Sequence, residues 1–131
     1  MDVWFADIER INNELFSPYR RQACKRVKVG VLDTGIDMKN AAFKDDEIRQ
    51  RIKKRIDFLD PGSKGMARDQ CGHGTHCAAL INKIAPAADI YIGRVALDFN
   101  SGLDDNVVAK VSKKLTIYDT RVHPGLRGLV C

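Results

Sequence analysis

Apolar residues recur along this chain with two different periods, and each period predicts a different kind of element. At the N-terminus they repeat at helical spacing, which predicts an amphipathic docking helix within residues 1–25. Proline restricts the residue before it, so we expect this helix to end near Pro18. Its apolar face consists of Trp4, Ile8, Ile11 and Leu15.

A strand is predicted where the residues become continuously apolar and β-branched. Val27 to Leu32 forms such a run and ends at Asp33-Thr34-Gly35, which is typical of a buried parallel strand followed by a turn. Further along, residues 73–84 predict a helix, 88–96 a strand and 103–111 a second helix. This alternation of strands and helices indicates an α/β fold with a parallel sheet.

The segment between these elements carries a dense basic run at residues 49–55. Ile48, Ile52 and Ile56 recur every four residues, so the basic side chains are interpreted as the solvated face of a helix. No aromatic residues interleave with them, and we predict no nucleic-acid partner despite a net charge of +5. Residues 56–59 predict a short strand, and residues 60–70 a loop.

Two motifs carry the candidate chemistry. Asp33 closes the first predicted strand, and ligands bind at the carboxyl edge of open α/β sheets. Forty positions later the chain reads Gly72-His73-Gly74-Thr75-His76-Cys77-Ala78, at the start of a predicted helix. A carboxylate and an imidazole are two of the three groups that a serine hydrolase needs.

Together these motifs resemble the subtilisin-like serine proteases, the subtilases, and residues 84–91 resemble the segment that follows the histidine helix in that family. The resemblance implies a three-layer α/β fold, of which this chain would carry an incomplete N-terminal half at residues 26–110. Residues 111–131 show no match and are expected to form a loose tail. We expect a truncated catalytic domain.

The resemblance also implies roles for single residues. Asp33 would orient His73, and His73 would be the general base acting on a polypeptide substrate. His76 would be structural and, with Thr75, face the packed interior. None of the four serines (Ser17, Ser63, Ser101 and Ser112) lies in the family's Gly-Thr-Ser-x-Ala setting, and no asparagine lies where the oxyanion hole is expected. The chain alone is therefore predicted to be inactive.

Two alternatives remain open. The chain could be a pseudoenzyme or a binding remnant. It could also be a retropepsin-like aspartic protease that uses Asp33, because residues 31–35 and 90–94 resemble segments of that family. The helix predicted after His73 argues against such an all-β fold.

Cofactors, metals and membranes are not predicted. A zinc site at Cys71, His73, His76 and Cys77 is disfavoured, because neither the cysteines nor the histidines have the usual ligand spacing. No apolar stretch approaches the ~20 residues that span a bilayer, and without a secretory signal an intracellular location with free thiols is the default. The strand ending at Asp33 should expose an unpaired edge, which predicts self-association.

Overall fold

The structure is a computed structural model that describes residues 2–16, 26–63, 66–98, 100, 102 and 104–120. Four helices are described: α1 (Asp2–Phe16), α2 (Asp46–Arg51), α3 (His73–Ile84) and α4 (Asp105–Thr120). Three strands are described: β1 (Lys28–Asp33), β2 (Ile52–Asp57) and β3 (Asp89–Arg94), and a 3₁₀ turn spans Ala41–Phe43. The predicted α/β class is confirmed.

The three strands form one parallel sheet in the order β1-β3-β2. Their carboxyl ends lie in register, with Asp33 and Asp57 on the two sides of Arg94. Parallel neighbours require crossover connections, and here α3 connects the outer strand β2 to the central strand β3. The carboxyl edge thus gathers charged residues from all three strands.

Hydrophobic clusters cover both faces of this sheet. On one face, the apolar side chains of β1 and β3 pack with α3 and with the 3₁₀ turn; the buried members are Val31, Ile36, Phe43, Ala67, Ala78, Ile90 and Ile92. Side chains alternate between faces along a strand, so Leu32 and Gly93 point to the other side. There α4 contributes to a second cluster of Phe58, Val95, Val107 and Val111.

The basic run was predicted as one helix, and that prediction is wrong beyond Arg51. Helix α2 ends there, and the chain continues as β2 with an extended backbone at Ile52. Arg51 is not solvated either, because its Nε and Nη2 atoms donate to the carbonyls of Ala88 (3.0 Å) and Ala85 (2.9 Å). These bonds join the end of α2 to the loop before β3 and so start the strand. Of the other basic residues, Arg49 lies in α2, and Lys53, Lys54 and Arg55 are exposed on β2.

Helix α1 packs on α3 with a different face from the predicted apolar stripe. Phe5 lies under the Lys83 ammonium group at 4.9 Å, and the Asn12 side chain donates to the carbonyl of Ile84 at 3.3 Å. Asn12 is buried, whereas Trp4 and Leu15 are each 58% exposed. The carbonyl of Ile84 at the end of α3 needs a donor, and Asn12 supplies it from the buried side of α1; of the predicted stripe, Ile8 is half-buried.

The C-terminal helix is longer than the sequence pattern indicated. It was predicted to end at Val111, but α4 continues to Thr120, so residues 111–120 of the expected loose tail are helical. Residues 121–131 of that tail, and the chain between α1 and Arg26, lie outside the described residues. Among the helices that are described, none is long and apolar enough to cross a membrane.

Candidate active site

Asp33 and His73 meet at the carboxyl edge of the sheet. Asp33 is the last residue of β1, and His73 is the first residue of α3. The helix begins there because Gly72 adopts a left-handed conformation (φ 93°), which reverses the chain into the first turn. The two elements therefore present a carboxylate and an imidazole from opposite sides of one small gap.

The distance between Asp33 Oδ1 and His73 Nδ1 is 2.7 Å. An ionised carboxylate can only accept hydrogen bonds, so Nδ1 carries the proton and donates it, which leaves Nε2 of the neutral ring as the acceptor. Asp33 Oδ1 also accepts the Thr34 N–H at 2.7 Å. The carboxylate is largely enclosed at 15% exposure, whereas 38% of the His73 side chain stays open to solvent.

A second carboxylate, Asp69, lies buried behind this pair. Its Oδ1 accepts hydrogen bonds from Thr34 Oγ1 (2.8 Å) and from the N–H groups of Cys71 (2.9 Å) and Gly72 (2.7 Å). Its Oδ2 accepts from both the N–H and the hydroxyl of Thr75. Because Gly72 offers no side-chain cap, Asp69 satisfies the free N–H groups at the start of α3 in its place.

The protonation of Asp69 follows from these contacts. Burial by itself would raise the pKa of Asp69, but the hydrogen bonds from Thr75, Gly72 and Thr34 outweigh it and bring the pKa to about 2. The group is thus fully charged at neutral pH. A buried carboxylate with this many donors stabilises the fold only while it is ionised.

Acidification is expected to lower the free energy of unfolding by about 2 kcal/mol through Asp69 alone. The pKa is lower in the folded state, about 2, than the ordinary value of 3.8. The contribution is therefore complete above pH 3.8 and is lost as the pH falls towards 2. Urea unfolding followed by far-UV circular dichroism across this range measures it. The control is Asp69→Asn, whose stability should fall less steeply; an equal slope in both proteins would contradict the assignment.

Close approach of α3 to the end of β1 depends on two glycines. A Cβ on Gly74 would overlap the Gly35 carbonyl oxygen and lie 3.2 Å from Asp33 Cβ. Gly35 has φ 112°, and a Cβ at this position would overlap the Ala67 carbonyl oxygen. Ile36 N–H donates to that carbonyl at 2.8 Å. Small residues at both positions let His73 come within hydrogen-bond distance of Asp33.

Cys77 lies one helical turn after His73, and its Sγ is 3.8 Å from Nδ1 and 3.7 Å from Nε2. Nearly equal distances place the sulfur off the lone-pair direction of both ring nitrogens. Burial raises the pKa of the Cys77 thiol, and the negative charge of Asp33 raises it further. The thiol is therefore protonated at neutral pH and is a packing neighbour of the imidazole, not a nucleophile.

Within the described residues, Asp33, His73 and Cys77 form a group that could hold a metal ion, because their potential ligand atoms all lie within 4.8 Å of one another. This group shares His73 and Cys77 with the zinc set that the sequence disfavoured, but it contains Asp33 in place of Cys71 and His76. Since the Asp33 carboxylate already accepts a hydrogen bond from His73 Nδ1 and Cys77 is protonated, two of the three ligands would have to change their bonding first.

His76 differs from the sequence prediction. It was expected to face the interior with Thr75, but only Thr75 is buried, and His76 is exposed. Its ring lines a polar cleft of about 410 Å³ beside the start of α3, together with Asp37, Asn40, Gln70 and Ala79. Successive residues of an α-helix are about 100° apart around its axis, so the buried position of Thr75 does not bring its neighbour His76 into the interior.

Sequence reasoning placed Asp33 and His73 but missed Asp69, which it assigned to a loop. The available signal was local. An aspartate can accept from the N–H groups two and three residues ahead, and Asp69 precedes Cys71 and Gly72 by that spacing. The bonds to Thr34 and Thr75 have no local signal, because they depend on how α3 docks against β1.

Comparison with known proteins identifies the family of this chain. The sequence model of the Subtilase family matches residues 24–123. The chain belongs to the subtilase family. The match extends beyond Lys110, where the sequence motifs ceased to indicate a resemblance.

A similar curated protein is the Subtilisin-like protease het-Q2 of Podospora anserina, which is 33% identical over 110 residues. The aligned region covers 61% of this chain and 29% of that relative. The chain thus spans less than a third of the relative's length.

Proposed function

We propose that this chain supplies the Asp and His residues of a subtilisin-like serine endopeptidase. His73 is the general base, and Asp33 orients it. The observation that carries the proposal is the 2.7 Å contact between Asp33 Oδ1 and His73 Nδ1 at the carboxyl edge of a parallel sheet. It fixes the tautomer in which Nε2 accepts a proton, and the ring remains open to solvent.

In the proposed reaction His73 Nε2 takes the proton of a serine hydroxyl while the oxygen attacks the peptide carbonyl carbon. The carbon–nitrogen bond then breaks, and the imidazolium returns the proton to the leaving amine. Water releases the acyl group by the same path. Asp33 stays ionised throughout and stabilises the transient positive charge on the ring.

In this proposal the nucleophilic serine is not among the residues that the structure describes. Ser63 donates to the Asp60 carbonyl at 2.8 Å, and Ser112 is exposed on α4. Neither belongs to the Asp33 and His73 pair. We infer that the 131 residues by themselves do not hydrolyse peptides and that a C-terminal segment with the Gly-Thr-Ser-x-Ala motif completes the site.

The free edge of β1 is the proposed place where such a segment joins. Strand β1 pairs with β3 on one side, and among the described residues no strand pairs with its other side. Val27, which precedes β1, is 70% exposed, and Leu32 within β1 is 45% exposed. An apolar, unpaired edge strand recruits another strand. Without the completing segment, a second copy of the chain is the expected occupant.

A complementation experiment tests two statements: that the chain alone is inactive, and that a second segment joins at the free edge of β1. The chain is purified alone and after co-expression with the C-terminal part of a subtilase domain, and each sample is treated with a fluorophosphonate serine probe and sized by analytical ultracentrifugation. We expect a self-associated, unlabelled chain in the first sample, and a one-to-one complex labelled on the added serine in the second. Labelling of the short chain would contradict the inactivity. A complex that forms without labelling would support a pseudoenzyme or binding remnant.

The aspartic-protease alternative has less support from the geometry. It requires a second carboxylate that shares a proton with Asp33. In the structure Asp33 Oδ1 instead accepts the Thr34 N–H and faces the His73 ring. The partner of Asp33 is an imidazole, as the serine mechanism needs.

A further inference from the structure

We propose that Asp69 is a positioning residue of this site: through Thr34 and Thr75 it sets the separation between Asp33 and His73. This inference rests on the proposed function of that pair. Asp69 does not touch the pair itself. It acts on the two backbone segments that carry it, the turn after β1 and the first turn of α3.

Each hydroxyl in the network makes two bonds in opposite directions. Thr34 Oγ1 donates to Asp69 Oδ1 at 2.8 Å and accepts the Gly74 N–H at 3.0 Å. Thr34 follows Asp33 in the chain, and Gly74 follows His73. One hydroxyl therefore ties the residue next to the carboxylate to the residue next to the imidazole.

Thr75 repeats the arrangement one residue further along the helix. Its hydroxyl donates to Asp69 Oδ2 and accepts the Asp37 N–H at 2.9 Å. A second connection thus runs from α3 to the turn that follows β1. With two connections through one carboxylate, the helix can neither slide along the turn nor rotate without breaking charged hydrogen bonds.

The ionised state of Asp69 is what lets it serve both connections. A carboxylate has two acceptor oxygens with about four sites, and Asp69 fills both oxygens. An asparagine of the same shape has one acceptor oxygen and an NH₂ group that donates. It would keep either the Thr34 side or the Thr75 side, and it would present donors to the other.

The test compares variants of the 131-residue chain by nuclear magnetic resonance, using the His73 Nδ1 proton as the probe. We expect Asp69→Asn and Thr34→Val to speed exchange of this proton with water about tenfold, because a loosened pair opens more often. Thr34→Ser keeps the hydroxyl and should restore slow exchange. A general loss of stability would not be reversed by the serine hydroxyl and would not be confined to the His73 ring. These two readouts therefore distinguish positioning from destabilisation.

Asp45→Asn is the matched control. Asp45 also accepts two backbone N–H groups at a helix start, from Glu47 at 2.8 Å and Ile48 at 3.2 Å, but the helix that it caps is α2 and not α3. Its loss should lower stability and leave the His73 proton unchanged. Equal exchange rates in the native protein, Asp69→Asn and Thr34→Val would overturn the proposal.

Asp33→Asn separates this failure from a failure of the proposed function. If the native signal depends on Asp33 but not on Asp69, the pair stands and only the positioning role is refuted. If Asp33→Asn also leaves the His73 proton unchanged, the pair is absent in solution and both proposals fail. In the completed peptidase, Asp69→Asn should lower kcat by up to about 100-fold with little change in KM.

Discussion

Replacing His73 by alanine is expected to lower kcat of the completed peptidase by about 10⁶-fold, the cost typical of removing the base of a serine protease triad. In the proposed mechanism no other group accepts the serine proton once the imidazole is removed, and the three triad residues act as one unit. Asp33→Asn should cost about 10⁴-fold, because the amide donates to Nδ1 and favours the wrong tautomer. Steady-state hydrolysis of a peptide amide substrate, in the complemented protein, measures both.

His76→Ala is the control for that experiment. His76 is in the same helix, three residues from His73, but it is exposed and lines the cleft beside Asp37. Its removal tests whether any histidine of the motif suffices. We expect kcat within about twofold of the native value, as for surface substitutions away from functional features. A loss of kcat comparable with that of His73→Ala would contradict the assignment of His73 as the general base.

The second large effect is expected from Gly74→Ala, which should lower the free energy of unfolding by about 3 kcal/mol. The added Cβ would overlap the Gly35 carbonyl oxygen and lie 2.9 Å from the Gly35 nitrogen. Both are backbone atoms, so no side chain can turn away. Alanine gains about 1 kcal/mol of helix propensity over glycine, but the overlap outweighs this gain. Urea unfolding followed by far-UV circular dichroism gives the value.

Gly30→Ala provides the comparison within the same part of the fold. A Cβ on Gly30, in β1, meets nothing within 4 Å. We expect a change of less than about 0.5 kcal/mol. If Gly74→Ala changed the free energy of unfolding as little as Gly30→Ala, α3 would not pack on the end of β1 as closely as the structure shows. Gly74→Ala should also speed exchange of the His73 Nδ1 proton with water, because the hydrogen bond between Asp33 and His73 needs the close approach of α3 to β1.

Local patterns were sufficient for the elements that carry the site. The predicted helix at residues 73–84 has the same bounds as α3, and the predicted strand before Asp33 differs from β1 by one residue at each end. Continuous apolar residues predicted a buried strand; the strand is present, but within β1 only Val31 is buried. The glycine before His73 marks the helix start. Both signals come from neighbours in the chain, which the sequence displays directly.

Sequence patterns gave wrong predictions for segments that contact residues distant in the chain. Isoleucines at every fourth residue predicted one helix through residue 56, but carbonyls of the loop before β3 bind the Arg51 guanidinium and end α2 there. The apolar stripe of α1 predicted the wrong contact face, because the Ile84 carbonyl attracts Asn12. In each case a polar group that must be satisfied outweighed periodicity.

The sequence by itself determined the class of this protein and its central pair. The strand ending in Asp33 and the helix beginning at His73 are each encoded locally, and parallel strands must bring their carboxyl ends to one edge. Only the tertiary structure decided that Asp69 lies behind that pair and that His76 faces outward. The hydrogen bonds that tie Asp69 and α3 to the turn after β1 join residues 35 and 38 positions apart, and no local sequence pattern contains the free energy of such contacts.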